Sequence, residues 1–102
     1  MSDTFDAADL PDWRMLGTAL HTRFRTGNFA AGLRLVNAIG EAAEAANHHP
    51  DLDLRYPHLD VKLYSHDAGG VTDRDLSLAR RISELAAEQG VRAAPSEVEE
   101  NT

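Results

Sequence analysis

Asn47-His48-His49-Pro50-Asp51 closes the longest helical pattern in the chain, opens a strand hairpin, and holds two of the five histidines. Pro50 sets a limit, because the residue before a proline is steered away from helical geometry, so a helix arriving from upstream must end by His49. Upstream of it, apolar residues recur at Phe29, Leu33, Val36, Ile39 (or Gly40), Ala43 and Ala46. Steps of three and four mark an amphipathic helix of about five turns, with Asn28 as a suitable N-cap after Gly27. Gly32 and Gly40 each cost such a helix about 1 kcal/mol relative to alanine and would allow close backbone approach. Downstream, residues 52–65 alternate in character. Leu52, Leu54 and Tyr56 form one apolar run and Leu59, Val61 and Leu63 another, with Tyr56-Pro57-His58 as the turn of an antiparallel hairpin.

Further out, the same period of two appears in residues 13–26. Trp13 and Met15 alternate with Arg14 and Leu16, and Leu20, Thr22, Phe24 and Thr26 alternate with His21, Arg23 and Arg25. The short join at Leu16-Gly17-Thr18-Ala19 predicts a second antiparallel pair. After residue 65 come a loop with Gly69-Gly70 and a capping-box pattern, Thr72 to Asp75. A second helix follows, carrying Leu76, Ala79, Ile82, Leu85 and Ala86 on one side and stopping at Gly90. The order is β-β-α-β-β-α: an α+β domain in which two long helices cover one face of a four-stranded antiparallel sheet. One domain spans residues 1–102, with its core at about 13–90. Residues 1–9 and 93–102 read as flexible tails, with at most a short helical turn between Phe5 and Leu10.

Composition narrows the function. The chain has 102 residues, 42% of them hydrophobic and 26% charged, with a net charge of −7. An acidic surface argues against binding nucleic acid, which needs a basic face, and against docking on an anionic membrane. With no cysteine, disulfides, thiolate metal sites and cysteine nucleophiles are excluded, and a cytoplasmic setting fits. The Met1-Ser2-Asp3 start is acidic, unlike a signal peptide, and no apolar run approaches a membrane span.

The histidines carry the chemistry. His48 and His49 lie at the C-terminal end of the first helix, where the helix dipole favours imidazolium. His66 ends the second strand of the hairpin that follows, and a hairpin returns its second end to its first. Three imidazoles beside a glycine-bearing loop suggest a proton-transfer pocket, with Asp51, Asp67 and Asp75 available to orient a ring. The plainer alternatives are that His48 and His49 only cap free helix carbonyls and that Asp75 only caps the second helix. Three histidines can also bind zinc, but adjacent helical residues point about 100° apart and no HExxH or Cys/His pattern is present, so no metal is expected. His21 and His58 read as surface residues.

Together, Asn47-His48-His49-Pro50-Asp51, the hairpin with Tyr56, Ser65-His66-Asp67-Ala68-Gly69-Gly70-Val71-Thr72, Asp75 and Leu78-Ala79 resemble the pterin-4a-carbinolamine dehydratases, also called 4a-hydroxytetrahydrobiopterin dehydratases. Trp13, the Phe24 strand and the Phe29 helix fit the same pattern, so the resemblance covers about residues 13–90. Two features depart from it: the family's N-terminal helix is short or absent here, and the first hairpin is trimmed at its turn. The resemblance implies dehydration of 4a-hydroxytetrahydrobiopterin to quinonoid dihydropterin and water, in tetrahydrobiopterin recycling, by histidine acid/base catalysis with no metal or cofactor. It implies His48 and His66 as the lead catalytic groups and His49 as a second acid/base or a substrate contact. Asp75 would hold His66 or its loop, and Pro50, Ser65, His66, Asp67 and Ala68 would touch the pterin along with His48 and His49. A homodimer or homotetramer is implied as well. The alternatives are a pterin-binding or regulatory protein-interaction module with little turnover, and a role in the pterin metabolism of the molybdenum cofactor.

Overall fold

In the computed structural model, which describes residues 9–98, strands β1 (Arg14–Leu16) and β2 (Ala19–Arg25) precede helix α1 (Phe29–Ala46). Strands β3 (Asp51–Leu54) and β4 (His58–Leu63) then lead to helix α2 (Asp73–Glu88) and a short strand β5 (Arg92–Ala93). The sheet is antiparallel, in the order β1-β2-β4-β3, with β5 also paired to β2. Among the described residues, no helix is long and apolar enough to cross a membrane. The expectations for residues 1–8 and 99–102 lie outside the described residues.

The alternation read in the sequence sets the sheet's two faces. Leu20↔Leu63, Thr22↔Val61 and Phe24↔Leu59 face each other across β2 and β4, and all six are buried. The odd-numbered side of β2 instead aligns His21 with Lys62 and Arg23 with Asp60, and Arg23 forms a bidentate pair with Asp60 at 2.7 and 3.0 Å. His21 and His58, expected at the surface, are half-buried. Burial, reinforced by Lys62, lowers the His21 pKa below its ordinary value. Both helices lie against the apolar face, where Leu35 and Ile39 of α1 and Leu76, Ala79 and Ile82 of α2 meet the strand residues. Trp13 joins this core edge-on to Phe24, with ring centroids 6.3 Å apart.

Three features differ from the sequence reading. The sheet gains a fifth strand from the segment expected to be frayed. Beyond Gly90, β5 pairs with Phe24 and Arg25 of β2, a 3₁₀ turn follows at Pro95–Glu97, and Val98 is buried. Charged residues fix this segment to the sheet: Arg25 meets Glu97 at 2.5 Å, and Arg14 donates to the Val98 carbonyl at 3.2 Å. Tyr56, assigned to an apolar strand face, stands exposed at the tip of the β3–β4 hairpin.

The third difference is the face that α1 buries. Its inward residues are Gly32, Leu35, Ile39 and Ala43, while Phe29 and Leu33 remain 49% and 46% exposed. Both stripes have helical spacing, so periodicity alone cannot choose between them. The two glycines separate accordingly. A Cβ on Gly32 would come within 2.5 Å of Leu54 Cδ1, whereas one on Gly40 would meet nothing within 4 Å. A Gly40→Ala change should therefore stabilise the fold by about 0.5–1 kcal/mol through helix propensity. Gly32→Ala should give no such gain, because Leu54 must shift. Urea unfolding of the two variants beside the wild type measures the contrast.

Candidate active site

The end of α1 creates the site. Asn28 Oδ1 caps the helix start by accepting the Ala31 N–H at 2.8 Å. At the other end Asn47 adopts the left-handed conformation, φ 52° and ψ 43°, a backbone state that asparagine tolerates better than most residues. The N–H groups of Asn47 and His48 fold back on the carbonyls of Glu44 and Ala43 at 3.2 and 3.1 Å. The helix thus stops three residues before His49, on a left-handed asparagine rather than on Pro50. His48 and His49 follow in non-helical chain, where successive side chains can diverge. The His48 side chain turns inward and is 11% exposed, while His49 turns out to water, its Nε2 2.6 Å from Glu44 Oε2.

The opposite wall comes from the chain after β4. Ser65 and Gly70 exchange backbone hydrogen bonds at 2.9 and 3.3 Å, pinching off a loop that contains the 3₁₀ turn His66–Ala68. The pinch projects His66 outward, where its ring sits edge-on to Tyr64 with centroids 4.7 Å apart. A cleft of about 330 Å³ opens between the two walls, lined by His48, His49, Ser65, His66 and Asp67 together with Asn47, Tyr64 and Arg74.

Beneath the cleft lies a fully buried carboxylate. Asp75 Oδ1 is 2.5 Å from His48 Nε2. Its Oδ2 accepts the Ser65 hydroxyl at 2.6 Å and the Thr72 backbone N–H at 2.9 Å, and Ser65 Oγ also lies 3.0 Å from Thr72 Oγ1. Asp75 therefore serves as the expected N-terminal cap of α2 and at the same time grips a histidine. The histidine is His48 rather than His66, because α2 begins directly under the end of α1. The contact engages His48 through Nε2 and leaves Nδ1 as the ring nitrogen outside it.

The remaining candidate residues divide. Ser65 lines the cleft, but its hydroxyl is turned to Asp75. Asp67 is on the rim, bonded to Arg74 at 2.5 Å, and the Arg74 guanidinium holds the Asp67 carboxyl below its usual range. Pro50 is half-buried and Ala68 exposed, and neither lines the cleft. Among the described residues, no three His, Cys, Asp or Glu side chains converge as a metal-binding set. The sequence reading passed over Arg74, Tyr64 and Asn47. Tyr64 could have been found, since residues two apart on a strand share a face and Tyr64 precedes His66 by two. Nothing local in the sequence ties Arg74 to Asp67.

The fold and cleft define a small α+β domain with a histidine-lined pocket and a buried carboxylate beneath it. Residues 2–85 match the family described as pterin 4 alpha carbinolamine dehydratase, and the chain belongs to that family. Proteins of Nocardia farcinica and Thermomicrobium roseum, both provisionally named pterin-4-alpha-carbinolamine dehydratase, are 46% and 42% identical over 78 residues. The match covers 76% of this chain and 82% and 84% of theirs. A crystal structure from Brucella melitensis, named transcriptional coactivator/pterin dehydratase, superposes with a TM-score of 0.74 at 27% identity, covering 78% of this chain and 86% of that one. A pterin dehydratase-like protein identified as a RuBisCO assembly factor shares the fold, with a TM-score of 0.62 at 23% identity, covering 72% of this chain and 88% of that one.

Asp75→Ala leaves three donors without their acceptor and should lower the unfolding free energy by roughly 3 kcal/mol. Asp75→Asn should cost roughly 1 kcal/mol, because its amide oxygen can still take the Ser65 and Thr72 donors. Guanidinium unfolding curves that place the two variants together would contradict this network.

Proposed function

We propose that the chain dehydrates 4a-hydroxytetrahydrobiopterin to quinonoid dihydropterin and water, as a step in tetrahydrobiopterin recycling, by acid/base catalysis from the histidine cleft. The observation that carries this reading is the meeting of His48, His49 and His66 around one cleft in a chain of this family. The reaction asks for two proton movements. A base removes the proton from N5, and the freed electron pair forms the N5–C4a double bond. The C4a–O bond breaks as an acid protonates the departing oxygen, which leaves as water. Imidazole can serve either way near neutral pH, and positioned acid/base groups of this kind contribute about 10²–10⁴ in rate.

We read the roles from the three environments. His48 is nearly dry and held through Nε2 by Asp75, and in this mechanism its Nδ1 is the base that takes the N5 proton. His66, exposed and braced by Tyr64, is the acid that meets the oxygen, and water can re-protonate it between turnovers. His49 stands at the open rim as a substrate contact or a second proton carrier, and Asp67 and Arg74 frame the pterin edge.

His48→Ala and His66→Ala should each slow the decay of the carbinolamine about 10²-fold or more, followed by stopped-flow absorbance with the folded wild type as reference. Asp75→Asn tests the tautomer. Its amide NH₂ would donate to His48 Nε2 and move the ring proton to Nδ1, removing the base while the fold persists. A folded wild type that leaves the spontaneous decay rate unchanged would sink the proposal.

A second reading concerns association. The exposed stripe of Phe29 and Leu33, continued by half-buried Val36, supports a homodimer or homotetramer formed through the outer face of α1. It equally suits an interaction role of the kind implied by the coactivator name of the Brucella structure. Light scattering after size exclusion should give a wild-type mass above the 11.1 kDa of one chain, with Leu33→Glu shifting it toward the monomer. A monomeric wild type would leave the stripe to a different partner.

A further inference from the structure

A second space adjoins the histidine cleft at His48 and Arg74. His48 and Arg74 also line a second, larger hollow of about 670 Å³ between α1 and α2. Its walls include Ala42, Ala45 and Ala46 of α1, and Leu78 and Arg81 of α2. Three alanines in the last turns of α1 leave the helices without interdigitating side chains there, so the hollow has a smooth apolar floor. The two spaces border the same two side chains, His48 and Arg74, so a ligand long enough to pass over the exposed Arg74 side chain spans both.

Charge gives the hollow a direction. Asp73 lines the end nearest Arg74, beside an Asp67 carboxylate already bound to Arg74, and this end disfavours a further anion. Arg81 lies seven residues along α2, about 10 Å down the helix axis. Its partners are Glu84 at 3.0 Å and Glu88 at 3.8 Å, all three side chains being at least half exposed. Exposed pairs of this kind are worth at most about 1 kcal/mol, so the Arg81 guanidinium is available to a ligand anion that offers two oxygens.

We propose that this hollow receives the C6 substituent of a pterin seated in the histidine cleft, and that it favours substituents that are long, apolar in the middle and anionic at the far end. The proposal rests on the reading of the cleft as the pterin site and widens its substrates: the short neutral side chain of biopterin is held by the cleft alone, and longer anionic substituents bind more tightly through the hollow. An aryl spacer would lie on Ala42, Ala45 and Leu78, and a terminal carboxylate or phosphate would reach Arg81. A short neutral substituent would leave the hollow empty and gain nothing from it.

Calorimetric titration of the full chain with three reduced pterins tests this: 6-methyl-7,8-dihydropterin, 7,8-dihydrofolate and 7,8-dihydroneopterin triphosphate. The wild type should bind dihydrofolate about tenfold more tightly than the methyl compound, the advantage of one charge-assisted contact. Arg81→Gln should erase that advantage by removing the cation, and Ala45→Trp by filling the floor. Both positions are exposed, and both variants should bind the methyl compound within about twofold of the wild type. An Arg81-dependent advantage for the triphosphate in place of dihydrofolate would support the anionic end and identify it as phosphate. Equal affinity for all three pterins, or an advantage that survives both substitutions, overturns the hollow's role and leaves the histidine cleft standing. Failure of the wild type to bind any of the three removes the pterin reading of the cleft and the extension with it.

Discussion

One buried carboxylate joins three separate parts of the chain. Asp75 accepts from the Thr72 backbone at the start of α2, from Ser65 where the chain leaves β4, and from His48 just past the end of α1. Burying an unpaired charge would be prohibitive, and a carboxylate at zero exposure is tolerated only when its lone pairs are filled. Here the groups that fill them are the ones that must be held for the cleft to exist. Stability and site geometry are therefore properties of the same hydrogen-bonded cluster.

The cluster makes unlike groups of the histidines. His48 has little freedom: its ring is fixed through one nitrogen, and its other face looks onto both the cleft and the hollow between the helices. His49, its neighbour in sequence, makes its contact in water with Glu44. His66 is exposed but supported by an aromatic ring. Three residues of one type thus occupy a nearly dry, a wet and a braced position. Differences of this kind let one residue type take and give protons at different points of a reaction.

Much of this was legible in the sequence, and the remainder fails for identifiable reasons. The period-two runs of β2 and β4 and the pattern of α2 name the core residues, because each has only one apolar face. Phe29–Ala46 is a helix by the same rule, yet it carries two apolar stripes that share Ile39 and Ala43, and only the position of the sheet decides that Leu35 goes in and Phe29 and Leu33 stay out. That His48, His49 and His66 line one cleft follows from hairpin topology. The partner of Asp75 does not, since it depends on how the start of α2 sits under the end of α1. The sequence points to Pro50 as the helix stop through its constraint on the preceding residue, whereas asparagine's tolerance of the left-handed state acts earlier, at Asn47. Segment 93–98 reads as frayed in the sequence because a strand of two residues is too short to carry a periodic signal. Its strand character comes entirely from the part of the β2 edge that β1 leaves uncovered.

That last segment separates two boundaries that are easily taken as one. The residues lining the histidine cleft are all in place by Arg74, and the carboxylate that fixes them follows at Asp75. The sheet on which they stand is not finished until β5 covers Phe24 and Arg25 and Val98 closes over the end of the core. The shortest stretch that contains the cleft is accordingly shorter than the shortest stretch that completes the scaffold. For β2, the central strand, the last part of its hydrogen-bonding edge is supplied by residues almost seventy positions away. The chain must therefore run well past the cleft residues before the strand in the middle of its sheet is fully paired.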